Sequence, residues 1–229
     1  MKNTAICYLT NNKNTEEMER RYSLLPSTTD NFILTEKKNN LIFKNANVFI
    51  FDSEEEFIKT HFIRWTYVSL VRFYEKNPNY EYYWLLEDDV IFNGNFADFF
   101  NETFNLDEDF IITNGHYREQ NNSYWYSCEH NKIHGDYETN LPLAGGFTGI
   151  QRWSNKLASI LLDLHKKNIY GHLESYPATV AYINKLKIGF LNNILKKHFI
   201  ESYCNWNCRF NINDLEKLPK DILLHAVKF

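Results

Sequence analysis

The 229-residue chain has no apolar run long enough to cross a membrane, no block of basic residues, no internal repeat and no low-complexity or linker-like stretch. The first absence excludes a helical membrane-spanning protein. The second, with a formal net charge of −4, argues against a nucleic-acid binder, whose phosphate contacts need clustered Lys and Arg. Without repeats or linkers, residues 1–229 are expected to form one domain. The stretch Met1 to Leu9 carries an apolar core too short for a secretory signal, so a soluble, cytoplasmic protein is expected. Four cysteines fit that reducing compartment as thiols. Cys204 and Cys208 stand four apart, but no second Cys/His pair at zinc spacing accompanies them. Asn101-Glu102-Thr103 and Asn121-Asn122-Ser123 spell glycosylation acceptors that carry no meaning without a secretory signal.

What is present is apolar bulk. Hydrophobic residues make up 44% of the chain and aromatics 17%, enough to fill a sizeable core. The organising stretch is Tyr82 to Val90. Tyr82 to Leu86 is uniformly apolar or aromatic, the pattern of a strand buried on both faces in a parallel sheet. Glu87, Asp88 and Asp89 follow at its C-terminal end, where open α/β sheets bind their ligands. Burying uncompensated carboxylates is costly, so this cluster must face water or a cation. In an extended chain Glu87 and Asp89 share a side, and paired carboxylates suit Mg²⁺ or Mn²⁺.

Around it, short apolar runs alternate with helical periodicity. Strands are predicted over 5–9, 31–34, 47–51, 110–113 and 222–224. Helices are predicted over 15–24, 53–75, 96–104, 154–168 and 178–186, the second opened by a Ser53/Glu56 capping box and including Phe57, His61, Phe62 and Arg64. Such alternation points to βαβ connections. Residues 115–140 read as a long, aromatic-rich excursion lining a site.

Several further residues carry chemistry. Asp107-Glu108-Asp109 is as acidic as the central triplet, but it precedes its strand and is assigned to the solvated surface at the opposite sheet end. Gly145-Gly146-Phe147-Thr148-Gly149 reads either as a loop letting backbone approach a ligand or as a tight turn. Glu174 sits just before the helix opened by Pro177, where the helix dipole favours a carboxylate and a general base is also well placed. His225 and Lys228 follow the last strand as a candidate metal ligand and a point charge for phosphate. Lys185, Lys187, Lys196 and Lys197 form either a solvated face or a patch for peripheral contact with a lipid-linked acceptor.

In this order, the acidic triplet, the glycine segment, Glu174 and the terminal His-x-x-Lys resemble the signature of GT-A glycosyltransferases. The resemblance implies a single-domain, Rossmann-like α/β fold with a mixed, mostly parallel sheet flanked by helices. Residues up to about 90 would be the nucleotide-binding half; about 91–229 would be the acceptor-binding half and metal-ligand tail. It implies a divalent cation (Mn²⁺ or Mg²⁺) held by Asp89, Glu87 and His225, and Glu174 as the base of an inverting transfer. The donor, a nucleotide sugar taken as UDP-linked, would meet Thr10, Asn11, Arg64, Glu87, Asp88, Gly145, Gly146 and Lys228. The acceptor would be a glycan or lipid-linked hydroxyl. The chain departs from the pattern in Glu87, where Asp is usual, and in Ser175, where the base motif often has Asp. Two alternatives stay open, a sugar-1-phosphate nucleotidyltransferase and a carbohydrate-binding module. The first normally has a glycine-rich loop after strand one, and residues 9–14 contain no glycine.

Overall fold

The Tyr82 to Leu86 run does form the middle of the structure. A computed structural model describes residues 3–52, 65–119, 133–139, 141–204 and 209–228. In chain order the elements are β1 (Thr4–Leu9), α1 (Thr15–Tyr22), β2 (Asp30–Glu36), β3 (Val48–Phe51), α2 (Trp65–Lys76), β4 (Tyr82–Glu87), β5 (Ile91–Phe92) and α3 (Phe96–Thr103). They continue with β6 (Phe110–Tyr117), β7 (Ala144–Ser154), α4 (Asn155–Lys166), α5 (Tyr176–Ile183), β8 (Ile188–Phe190), α6 (Leu191–Ile194), β9 (Phe210–Asn211), β10 (Leu223–Leu224) and β11 (Val227–Lys228). Ser53, Glu56, Phe57, His61, Phe62, Arg64 and Cys208 lie outside the described residues.

Seven strands make the main sheet in the order β3-β2-β1-β4-β7-β6-β8. Only β7 runs against its neighbours, so the sheet is mixed and mostly parallel, as expected. Alternation along the two central strands sorts side chains between two cores. Ala5, Cys7, Leu9, Tyr83 and Leu85 enter the core shared with α2, α4 and α5. Ile6, Tyr8, Trp84 and Leu86 enter the core shared with α1 and α3. Burial on both faces is why β1 and β4 carry no polar alternation. Each fully buried aliphatic or aromatic side chain contributes roughly 1.5–3 kcal/mol.

The parallel registers Leu9↔Glu87 and Leu9↔Leu34 bring the C-terminal ends of β1, β2 and β4 to one edge. A third core, Ile91, Ile222, Leu224 and Val227, fastens the chain's tail beside that edge. There β10 pairs antiparallel with β5, and β11 pairs with β9.

The main departure from expectation is β7. Its first residues, read as either a ligand-approaching loop or a tight turn before a helix, are the start of the sheet's longest strand, buried throughout. Gly146 has a packing reason: a Cβ there would stand 2.7 Å from the Thr113 carbonyl oxygen of β6. Only glycine lets the two backbones approach so closely across the irregular register of β6 and β7. Further along β7, Arg152 is buried and donates to the carbonyls of Thr103, Leu106 and Glu108, with its guanidinium 4.2 Å from the Tyr82 ring centre. Burial lowers its pKa to about 10, still far above neutrality, so it caps the carbonyl end of α3 as a cation.

The second acidic run lies at the expected end of the sheet, but only Asp107 of it is exposed. Asp107 to Asp109 precede β6, at the sheet end opposite Glu87, where Asp107 pairs with Lys187 and Asp109 accepts from Ser154. Of the lysine group, Lys187 is thus compensated, and Lys197 pairs with Glu102 at 2.8 Å.

Candidate metal and donor site

The acidic triplet does not continue as strand. β4 ends at Glu87 and the chain turns, with Val90 N–H donating to the Glu87 carbonyl at 3.1 Å. This corrects the extended geometry expected for Glu87–Asp89, yet the turn achieves the same division. Glu87 and Asp89 go to one side and Asp88 to the other.

On the first side, His225 Nε2 lies 3.3 Å from Asp89 Oδ2. One ligand atom each from Glu87, Asp89 and His225 fall within 4.8 Å of one another. Backbone pairing puts the histidine there. Leu224 registers with Ile91, His225 N–H donates to the Tyr203 carbonyl, and Val227 N–H donates to the Asp89 carbonyl at 2.9 Å. The imidazole side chain is only 11% exposed and packs on the Phe147 ring, centroids 4.4 Å apart. Glu87 is oriented from α2, whose Thr66 hydroxyl donates to Oε1 at 3.0 Å.

The cluster fits a hard divalent cation. Two neighbouring ligands on an octahedral ion at about 2.1 Å stand about 3 Å apart, close to the Asp89–His225 spacing. Asp89 Oδ1 is buried and accepts no hydrogen bond, an arrangement costly without a cation nearby. Two carboxylates and one imidazole also suit Mn²⁺ or Mg²⁺ better than a soft metal.

On the other side, Asp88 accepts a 2.6 Å hydrogen bond from the Thr10 hydroxyl at the end of β1. Burial pushes the Asp88 carboxyl above its ordinary pKa, and the neighbouring Asp89 charge adds to that; Thr10, Arg21 and the Asn11 N–H oppose it. Thr10 is fully buried and committed to Asp88, so its part is to hold that carboxyl, whereas Asn11 is exposed. Arg21 holds the turn from behind. It sits one turn after Met18 on the buried face of α1, donates to the Asp88 carbonyl at 2.6 Å and pairs with Glu17 at 2.9 Å.

Glu174 lies in the turn before α5 and is 5% exposed, with Oε2 3.8 Å from His172 Nδ1. Its carbonyl accepts from Gly146 N–H at 2.9 Å. Phe147, the next residue, touches His225, so the glutamate's turn is tied to the Glu87–Asp89–His225 cluster through consecutive residues of β7. Gly145 and Gly146 form the part of β7 that extends past the end of β4, since Leu86 registers with Ile150. Lys228 is in β11, in register with Asn211. Arg64 lies outside the described residues.

Sequence reasoning missed Arg21, Thr66 and Phe147. Arg21 left a signal, being a charge on the same helical face as Met18. Phe147 left none, since its contact follows from the fold of β7.

No family model matches the chain, and no curated protein matches it. Solved structures similar to it include apo xyloside xylosyltransferase 1 from mouse, at 14% identity over 98% of this chain and 97% of that one, TM-score 0.42. Another is core-mannan synthase A from Aspergillus fumigatus in an Mn/GDP form, at 13% identity over 84% of this chain and 73% of that one, TM-score 0.40. A third is a Bacillus anthracis protein assigned as a glucose-1-phosphate thymidylyltransferase and solved with sucrose, at 13% identity over 82% and 85%, TM-score 0.39. These likenesses are of overall fold at low identity, and what the site can do rests on its own geometry.

Proposed function

We propose that this protein is a metal-dependent glycosyltransferase that moves a sugar from a nucleotide-sugar donor, UDP-linked in the first instance, to a hydroxyl of a glycan or other acceptor. The carrying observation is the meeting of Glu87, Asp89 and His225 at the C-terminal edge of a mostly parallel sheet, where such sheets bind ligands. When bound there, a divalent cation would act as a Lewis acid on the charge that develops on the leaving diphosphate.

The chain's own residues do the rest. Glu87 and Asp89 offer hard oxygens, and His225 offers a nitrogen held in place by three backbone contacts around it. Asp88 shapes the turn through Thr10, and Asn11 presents exposed polar groups to the nucleotide. Backbone of Gly145 and Gly146, in the part of β7 that extends past β4, is assigned to the donor, and Lys228 and Arg64 are assigned to its phosphates on their charge alone. Glu174 accepts the proton of the attacking hydroxyl, which implies inversion at the anomeric carbon. Its burial beside His172 shields it from bulk water.

The test is nucleoside diphosphate release from a panel of nucleotide sugars, with Mn²⁺ and with EDTA. Release that needs the metal and falls away with Asp89→Ala supports the proposal. Release that survives EDTA, or none from any donor, contradicts it. Pyrophosphate release from a nucleoside triphosphate and a sugar 1-phosphate would instead identify nucleotidyl transfer.

A further inference from the structure

α5 runs away from Glu174 along the overhanging end of β7. Near its start Gly146 bonds to the Glu174 carbonyl, and one turn on, the Thr179 hydroxyl bonds to Leu143 N–H and the Ala144 carbonyl. Another turn on lies Tyr182. Among the described residues, Tyr182, Leu143, Arg118 and Glu119 line an open groove of about 410 Å³. Hydrogen bonds hold its sheet side. Arg118 N–H donates to the Leu143 carbonyl at 2.9 Å, which extends the β6–β7 pairing, and its guanidinium donates to the Pro142 carbonyl at 3.3 Å.

The lining has the chemistry that sugars need. Tyr182 is 41% exposed, with its ring propped against Tyr117, whose own ring rests on Phe190. A part-exposed aromatic ring braced by its neighbours offers apolar surface to the C–H side of a pyranose, with a phenolic edge that stays polar. Arg118 has N–H donors beyond the one used by Pro142, and Glu119 is an exposed acceptor; together they can address a pair of hydroxyls.

Its position bears on substrate size. At 1.5 Å per helical residue, Tyr182 stands about 9 Å along α5 from Tyr176, next to Glu174. Leu143, just before β7, is four residues from Phe147, about 13 Å at strand spacing. A sugar whose hydroxyl met Glu174 would not reach the groove, but the next units of the same chain would.

We infer that this groove is a distal acceptor subsite, and that the acceptor is an oligosaccharide or extended glycoside rather than a single sugar. The inference rests on the transferase reading above for its placement of the reacting hydroxyl at Glu174. The test is calorimetric binding of methyl glycosides of glucose, galactose, mannose, xylose and N-acetylglucosamine, each beside its di- and trisaccharides, to the Mg²⁺-supplied full chain. At least one series is expected to tighten about tenfold on lengthening. Tyr182→Ala should return that series to the monosaccharide level, and Tyr182→Phe should keep the gain. If no series gains on lengthening, or if Tyr182→Ala leaves the gain intact, the inference is overturned. Metal-dependent donor hydrolysis by the unaltered chain is read separately. Hydrolysis without a length effect removes the subsite alone, and a Tyr182-dependent length effect without hydrolysis removes the transferase reading alone.

Discussion

Asp88 and Asp89 are chain neighbours whose carboxyls have different partners: Asp88 accepts a 2.6 Å hydrogen bond from Thr10, and Asp89 lies 3.3 Å from the imidazole of His225. The division follows from a turn that begins at Glu87 and is clamped through its own carbonyls, that of Asp88 by Arg21 and that of Asp89 by Val227. It separates the acid that holds the turn from the acid that joins the Glu87–His225 cluster.

That separation predicts unequal substitutions. Asp89→Asn should weaken Mn²⁺ binding at least ~100-fold, since removal of even an outer partner of a ligand costs 10–100-fold. Asp88→Asn keeps an acceptor for Thr10 and should stay within about tenfold of the parent. Calorimetric titration with MnCl₂ measures both, and equal losses would show that the two acids are not divided in this way.

Arg21 is expected to matter for stability first. Arg21→Met removes a hydrogen bond from a charged donor to the Asp88 carbonyl, worth about 1.5–3 kcal/mol, and leaves Glu17 without that partner. Urea unfolding should show a loss of that size, with Arg21→Lys recovering part of it. An unchanged midpoint would mean the turn holds itself.

For β7, the expectation concerns packing rather than chemistry. Gly146→Ala puts a methyl 2.7 Å from the Thr113 carbonyl and 2.9 Å from Gly115 Cα, so backbone must move. A cost of about 1–3 kcal/mol in urea unfolding follows. A neutral substitution would argue for the looser loop or turn that the glycines suggest in the sequence.

The legible parts of this chain and the illegible ones differ in what specifies them. β1, β2, β4 and α1 could be read because their own residues carry the pattern, whether an unbroken apolar run or a helical repeat with Asn14 bonding Glu17 N–H at its start. β7 could not. Gly145, Gly146 and Gly149 are poor strand formers, and the strand exists because β4 and β6 hold it on both sides. The acids, Glu174 and His225 were legible as residue types at meaningful positions. Their supports, Arg21, Thr66 and Phe147, were not, because those contacts join elements far apart in the chain.

If Glu174 takes the acceptor proton, Glu174→Gln should lower transfer on the order of 10²–10⁴-fold while donor affinity, measured by calorimetry, changes little. Full transfer by this variant would remove it as the base and reopen the stereochemical outcome.

The whole account turns on a cation shared by Asp89, Glu87 and the imidazole of His225. Electron spin-echo modulation of the Mn²⁺-loaded chain reads that contact directly, through coupling to a directly bound imidazole nitrogen. The account predicts nitrogen modulation in the parent and its loss in His225→Ala. Modulation absent from the parent, or unchanged in the variant, would place the metal elsewhere and contradict it.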